Sequence, residues 1–587
     1  MTTMQTERRS LITRQFFSLL PVQILIIAIG CLNSIVDGVI ASSSIRPDAV
    51  AVLGLYAPLA ELIDTTAIVF LGGTQILCGR FLGKNAVKET RSVFSLDIDV
   101  IFGVSVLLML LCFLPGFFPA VLGGSAAQRS ELSSYLRGTA GGIPFLMIGS
   151  QLSAFLQLEH QERRTYIGMA VMVVLNVGLV LLLVFERKMG FLGLGLATAA
   201  ANLVFCVIQM SWFLTDRATI RFHVRDADFS YLGELLRLGF PGALVQACVI
   251  IRGLLGNRIL LRFCSPWGLP AFAAVNTLCL LYYAVYMGMS SAILLLTSIY
   301  LGEEDRESLY ETMRTALTKG LCVVVAFSAM TFVLAEPFTR LFFSPTDGAW
   351  DSTLLYFRAF SVSVPFSAVV YFFISYYQSI GKRKIVDLLG LISGLAAPIL
   401  FMTLLSPFMH FSGFCLAHVL GCVFSITAIP ICAGIYGGRF TPELRELLLL
   451  AEDFGVPDSD RLEFVIRGPE NDLSISDSIS AFFRNHSLDK RRMLAAGLCL
   501  EEMISNIIVH GFVQGKKNEI IVRLIWKKED LIISIKDNCR PFNPKEREQL
   551  FDPKDPTHHI GIRMASHFSR KMEYQFLLGM NVLTMTL

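Results

Sequence analysis

From about residue 16 to Tyr436 the chain is a succession of long apolar bands parted by short charged loops, and few folds accept such a pattern. The bands lie at roughly 16–41, 51–79, 93–116, 135–159, 166–185, 191–215, 236–261, 271–301, 312–335, 355–380, 386–406 and 412–435. A bilayer core about 30 Å thick needs about 20 apolar residues of helix, and only helices or closed barrels satisfy the backbone inside it. The bands are too long and too evenly apolar for barrel strands, so the expectation is an all-α membrane domain of about twelve transmembrane helices. Composition agrees: hydrophobic residues make up 54% and charged residues 17%, where soluble domains sit near a quarter charged. The thirteen cysteines fall singly, mostly within the bands. None forms a CxxC or a Cys/His cluster, so neither zinc nor a disulfide framework is indicated. The partners expected are the lipid bilayer and a small molecule, with no nucleic acid.

Lysine and arginine set the orientation. One set of loops carries Arg80, Lys84, Lys88 and Arg91, then Arg163 and Arg164, Arg217, Arg221 and Arg225, Arg306, Arg314 and Lys319, and Lys382, Arg383 and Lys384. The opposite set is poorer. The richer loops should be cytoplasmic, and an even number of spans puts both termini and the soluble tail there too. The lead with Arg8, Arg9 and Arg14 runs straight into a full-length span and has no cleavable-signal pattern. A multi-pass protein of a bacterial inner membrane is expected.

The bands repeat. Segment 155–202 lies over 375–422 with an offset of 220 residues, which matches Arg163 to Arg383, Gly193 to Gly413, Ala197 to Ala417 and Pro21 to Pro241. FLGKNAVKETRS at 81–92 lies over YLGEEDRESLYET at 300–312 with a slip of one. Two parallel six-helix halves result, 1–225 and 226–436, an architecture that places a substrate cavity between them. SIVDGVIAS in the first span, GGTQILCGRFLGK ending the second and GFLGLGLAT opening the sixth resemble the multidrug and toxic compound extrusion (MATE) transporters. The resemblance implies cation-coupled export of small organic molecules, driven by protons or sodium, as two lobes rock.

Ionisable groups inside a span cost roughly 3 kcal/mol or more and are functional candidates by default. Asp37 lies deep in the first span, and the resemblance makes it the coupling acid; a structural aspartate bridging helices is the alternative. Asn176 matches a polar position that helps bind sodium in some relatives, although the acidic position four residues on is here Val180. Glu61 and Asp64 share one face of the second span. The seventh span, VIIRGLLGNRILLRF, carries Arg252 and Arg258, and Asn257 occupies the repeat position of Asp37. Guanidiniums in one lobe and carboxylates in the other point to inter-lobe pairs or to an anion site. An anionic small molecule then suits the cavity better than a cationic drug.

After Tyr436 the composition becomes that of a soluble protein. Residues 437–460 read as an amphipathic linker helix (ELRELLLLAEDF), and 461–587 as alternating helices and antiparallel strands, an α+β sandwich. Three motifs follow in order: EEMISNIIVHG with Glu502 and Asn506 four apart, DNCRPFNP with Asp537, and HHIGIRMASHF with Gly561. The tail resembles the Bergerat, histidine-kinase-like ATP-binding fold, above all the anti-sigma-factor serine kinases. The resemblance implies ATP and magnesium as cofactors. Asn506 would ligate the metal, Glu502 act as general base, Asp537 accept the adenine amino group, Gly561 admit the phosphates at a helix start, and Thr584 support the adenine. Cys539, Arg540 and His559 depart from the small residues expected of such boxes, and a Cβ there can crowd the nucleotide. Two functions remain open. One is a transporter regulated by its ATP-binding domain. The other is a membrane sensor whose serine-kinase tail phosphorylates a small cytosolic antagonist protein.

Overall fold

A computed structural model of the protein describes residues 12–25, 50–114, 126–215, 218–264, 267–438, 440–466, 473–486, 488–515, 518–527, 529–544 and 560–587. The first lobe consists of α1 (12–25), α2 (Val50–Gly83), α3 (Val87–Phe113), α4 (Gln128–Leu158), α5 (Glu162–Glu186) and α6 (Gly190–Phe213). The second consists of α7 (Leu232–Phe263), α8 (Gly268–Gly302), α9 (Arg306–Val333) and α10 (Trp350–Ser379), followed by α11 and α12 within Arg383–Gly437. The last two part at His410, whose backbone turns to φ 50° while its ring Nδ1 meets the Phe263 carbonyl at the end of α7 at 2.9 Å. The break falls in the gap between the last two apolar bands.

The lobes meet where side chains are smallest. α2 packs on α7 and α8, and its glycines let the backbones touch. A Cβ at Gly73 would strike the Leu235 carbonyl, one at Gly239 the Val69 carbonyl, one at Gly83 the Ile299 carbonyl and one at Gly302 the Arg80 carbonyl. Polar bonds lock the same seam. Arg80 Nη2 donates to the Ser379 carbonyl at 2.6 Å, and Gln378 Nε2 to the Leu238 carbonyl at 3.0 Å. All of this lies in the half of the membrane body nearest the tail. Two to three turns farther along α2, Asp64 is exposed.

The tail has a five-stranded antiparallel sheet of order β1-β2-β3-β5-β4. Its strands are β1 (Arg461–Ile466), β2 (Ile520–Lys527), β3 (Asp530–Asp537), β4 (Lys571–Leu577) and β5 (Met580–Thr586). Three helices, α13 (Leu473–Asn485), α14 (Lys490–Asn506) and α15 (Ile560–Phe568), complete the domain. Strand residues alternate between faces. Val522, Leu524, Ile533, Ile535 and Leu583 form a core with Phe482, Leu500, Met503 and Ile562 from the helices. The segment Lys490–Gly511 is long and apolar enough to cross a bilayer, yet its buried side belongs to this core.

The linker departs from the expected amphipathic helix. Only one turn forms, Leu444–Leu447, because the segment is pinned as a strap instead. Tyr377 donates to the Leu447 carbonyl at 2.7 Å and Tyr376 to that of Leu448 at 3.0 Å, while Arg306 bonds the Ala451 carbonyl. Backbone groups held from outside cannot close a helical ladder.

Gly239→Leu should therefore splay the seam, whereas Gly253→Leu, at a glycine with open space around it, should not. Hydrogen–deuterium exchange of residues 72–83 checks this, with at least tenfold faster exchange expected for the first variant alone.

Candidate functional site

The candidate nucleotide site is built on α14. Asp489 caps this helix by accepting from the Arg492 amide at 2.6 Å, and Ala496, Leu500 and Met503 bury one side of it. Asn506 and Gly511 then line a cavity with Asp537 and Arg540. Among the described residues, the side chains of Asn506 and of Glu502, one turn earlier on the same face, have no hydrogen-bond or ion-pair partner. Asp537 is buried at the end of β3, and its Oδ1 accepts from the Cys539 amide at 2.9 Å and from Asn581 Nδ2 at 2.7 Å. Asn581 is itself fixed by Tyr574, whose hydroxyl donates to it at 2.8 Å. A carboxylate held this firmly suits a directional acceptor such as the adenine amino group requires, and an amide oxygen suits a hard cation on phosphates.

Two expectations for this domain change. Cys539 does not crowd the cavity: it is buried in the core, against Gly511, where an added Cβ would stand 3.2 Å from the Cys539 Cβ. Thr584 does not reach the site. It pairs with Ser534 and Glu573 on the face that also carries Lys536 and Gln575, while its neighbour Leu583 lines the cavity. The two-residue period of the strand decides this. Gly561 is the second residue of α15. His559 lies outside the described residues.

In the membrane body Asp37 also lies outside the described residues. Asn176 is 1% exposed and neither amide atom has a partner. Glu61 reaches across the seam, where its Oε2 accepts from Gln246 Nε2 of α7 at 3.1 Å, and Asp64 stands on the same side of α2 within its field. Arg252 sits on the buried side of α7 with Val245, Cys248 and Ile259. Its electrostatic neighbours are Tyr283, Tyr371, Tyr356 and Cys422, and His418, which stacks on Phe360 at 5.2 Å, also feels its charge. Among the described residues no carboxylate pairs with Arg252. Asn257 is half-buried with Oδ1 unpartnered.

Arg258 corrects the expected cavity pair. It is exposed and shares its stripe of α7 with exposed Ile251, Leu254 and Leu261, which is an outward face. Five residues from the helix end, about 7.5 Å, its long side chain can snorkel to the interface.

Two features escaped the sequence. Asp97 of α3 is fully buried, a burial that nothing in the sequence marked. The other is a docking surface. Glu303, Glu304 and Asp305 meet Lys536 (2.6 Å), Lys527 and Arg523 (3.3 Å) on the outer face of the sheet, and both members of the Arg523–Asp305 pair are more than nine-tenths buried. The β4–β5 hairpin engages the first lobe. Gln575 Nε2 donates to the Leu82 carbonyl at 2.8 Å, the Leu578 amide bonds that of Leu158 at 3.3 Å, and Leu577 joins the membrane body's core. The repeat alignment held one clue, since acidic residues stand in the second copy where the first has Lys84 and Asn85.

The MatE family model matches residues 24–182 and 241–403, and that of the histidine kinase-like ATPase domain matches 470–587. Two repeated lobes of this topology with a Bergerat-type tail define a membrane transporter fold fused to an ATP-binding domain. The chain belongs to the MatE family. It is 22% identical over 378 residues to the multidrug export protein MepA of Staphylococcus saprophyticus, covering 64% of this chain and 82% of that one. To MepA of Staphylococcus aureus it is 21% identical over 385 residues, covering 64% and 84%. Among solved structures, a mutant of the Vibrio cholerae MATE transporter VcmN superposes with a TM-score of 0.68 at 16% identity, over 75% of this chain and 99% of that one. A Pyrococcus furiosus transporter of the MOP superfamily, described by the reverse polarity of its binding pocket, gives 0.66 at 18% over 72% and 97%.

Asn506→Ala should eliminate magnesium-dependent ATP binding in the full-length protein, and Glu502→Ala should leave it intact, because a general base acts in the transition state. Isothermal titration with ATP, with and without magnesium, checks both.

Proposed function

We propose that the chain is a secondary transporter, coupled to protons or sodium, that exports small organic molecules across a bacterial inner membrane under the control of its ATP-binding domain. The tail and both termini are then cytoplasmic, and the seam it covers is the cytoplasmic gate. The observation that carries this reading is the docking of one sheet onto both lobes at once, through Leu82 and Leu158 on one and Glu303–Asp305 on the other. A rigid body that grips both lobes resists the rocking that opens the gate. ATP with magnesium at Asn506, Asp537 and Gly561, on the opposite side of the same sheet, can bias that grip only through a differential affinity for the docked and released states.

The substrate class follows from Arg252. A guanidinium among phenol rings without a carboxylate favours an anionic group on the transported molecule, and the Pyrococcus relative gives a precedent for altered pocket polarity. Asp37, Glu61, Asp64, Asn176 and Asn257 remain the coupling and cavity candidates. The second reading, a serine kinase acting on a small antagonist protein, is favoured by one observation: Glu502 stands unpaired beside Asn506. The domain docks by its sheet, so the helical side stays open to a visiting protein.

Reversing the loop with Asp305→Arg should release the tail, because removing one partner of a buried pair leaves an uncompensated charge, worth about 3–5 kcal/mol. Asp305→Arg with Arg523→Asp should restore docking. Limited proteolysis of the strap and uptake of carboxyfluorescein into inverted proteoliposomes are the measurements. Faster cleavage and ATP-insensitive uptake are expected of the single variant, and regulation by ATP unchanged by it would remove the clamp. Arg252→Gln should lower carboxyfluorescein uptake at least tenfold and spare ethidium.

A further inference from the structure

We propose that Asp97 is a proton-carrying carboxyl of the first lobe, additional to Asp37, whose charge state is tied to the seam. The inference rests on the transporter reading and commits to protons as its coupling ion. Asp97 lies ten residues into α3, about 15 Å from the helix start. It is fully buried and neither carboxyl oxygen has a hydrogen-bond partner. The nearest polar groups come from α2. The Thr74 hydroxyl, itself buried and unpartnered, lies beside it, and the Cys78 thiol feels its field. Among the described residues no lysine, arginine, histidine or second carboxylate acts on it. On the side of α4 and the 218–226 loop, Glu159 is satisfied by the amides of Thr219 and Ile220 at 3.0 and 2.7 Å. Arg91 donates to the Thr219 carbonyl at 2.8 Å. Neither is turned to Asp97.

An isolated ionised carboxylate in such a place is far too costly to persist, whereas a proton makes it an ordinary polar group. A purely structural aspartate would be held by several bonds and a cation, and here the Thr74 hydroxyl alone stands beside the carboxyl. Its neighbour Asp99 is only half-buried, so the pair does not mark a helix end at the surface.

Position links the proton to movement. Thr74 and Cys78 alternate along α2 with Gly73 and Gly79, the residues at which α2 abuts Leu235 of α7 and Ser298 of α8. With the seam closed, as here, Asp97 holds a proton on one carboxyl oxygen. When the seam opens, water reaches the carboxyl, the O–H bond breaks, and the proton leaves as hydronium with the carboxylate hydrated. Reclosing requires a proton to return from water. The step consumes nothing else.

Infrared difference spectroscopy on the full-length protein tests the protonation. At neutral pH a protonated-carboxyl carbonyl band should be present in wild type and in Asp37→Asn, absent in Asp97→Asn and displaced in Asp97→Glu. In proteoliposomes under an imposed pH gradient, proton-driven carboxyfluorescein movement should fall at least tenfold in Asp97→Asn and recover in Asp97→Glu, with matching thermal unfolding as the check on folding. A wild-type spectrum unaltered by Asp97→Asn, or undiminished gradient-driven movement in that variant, overturns the proposal. If wild type moves no probe at all, the transporter reading is what fails, and the infrared band alone decides Asp97.

Discussion

Backbone contact between α2 and the pair α7 and α8 sets the position of everything else. Helices ordinarily keep 8–10 Å apart because side chains intervene. Here Gly73, Gly79, Gly83, Gly239 and Gly302 remove them, so the lobes close until carbonyls bear on α-carbons. That closeness aligns Arg80 with Ser379 and Gln378 with Leu238. It also brings the Leu82 and Glu303 loops near enough for one small sheet to reach both. The same glycines hold the two lobes in contact on the side that the tail covers.

Charge then does at the membrane surface what packing does within it. Each of three consecutive acidic residues finds its own cation on β2 or β3, and two strands supply all three. Exposed ion pairs contribute little. The Arg523–Asp305 pair is different because both members are buried. Its desolvation offsets much of its attraction, so the pair adds specificity rather than strength, admitting one orientation of the sheet. The hairpin supplies the apolar share, through Leu577 and its neighbours.

The helical count, the duplication and the tail's strands were legible because each rests on periodicity, and periodicity survives in a bare sequence. That Asn506 and Asp537 share one cavity was legible as well, since short motifs fix their local geometry. What stayed hidden depends on partners distant in the chain. Arg258 and Arg252 are six residues apart on one helix, yet one faces outward and the other inward, and only the neighbouring helices decide which. Thr584 looked suitable by residue type, but the register of β5 against β3 turned it away. Asp97 drew no notice because it stands near the start of its apolar band, whereas α3 itself begins ten residues earlier, at Val87. The linker has the composition of a helix and is held from forming one by two tyrosines of α10.

The hairpin has a bearing on assembly. Leu577 is a member of the membrane body's core, yet it follows both lobes in chain order. Until β4 and β5 have been synthesised, the two lobes therefore lack one residue of their own core. Docking inspects the finished body, because the loops that receive the hairpin and the acidic loop lie in place together only when all the intervening helices have inserted with the right orientation. A lobe threaded upside down would offer the sheet no complementary site. The nascent tail would then hang free, with Leu577 and Leu578 uncovered.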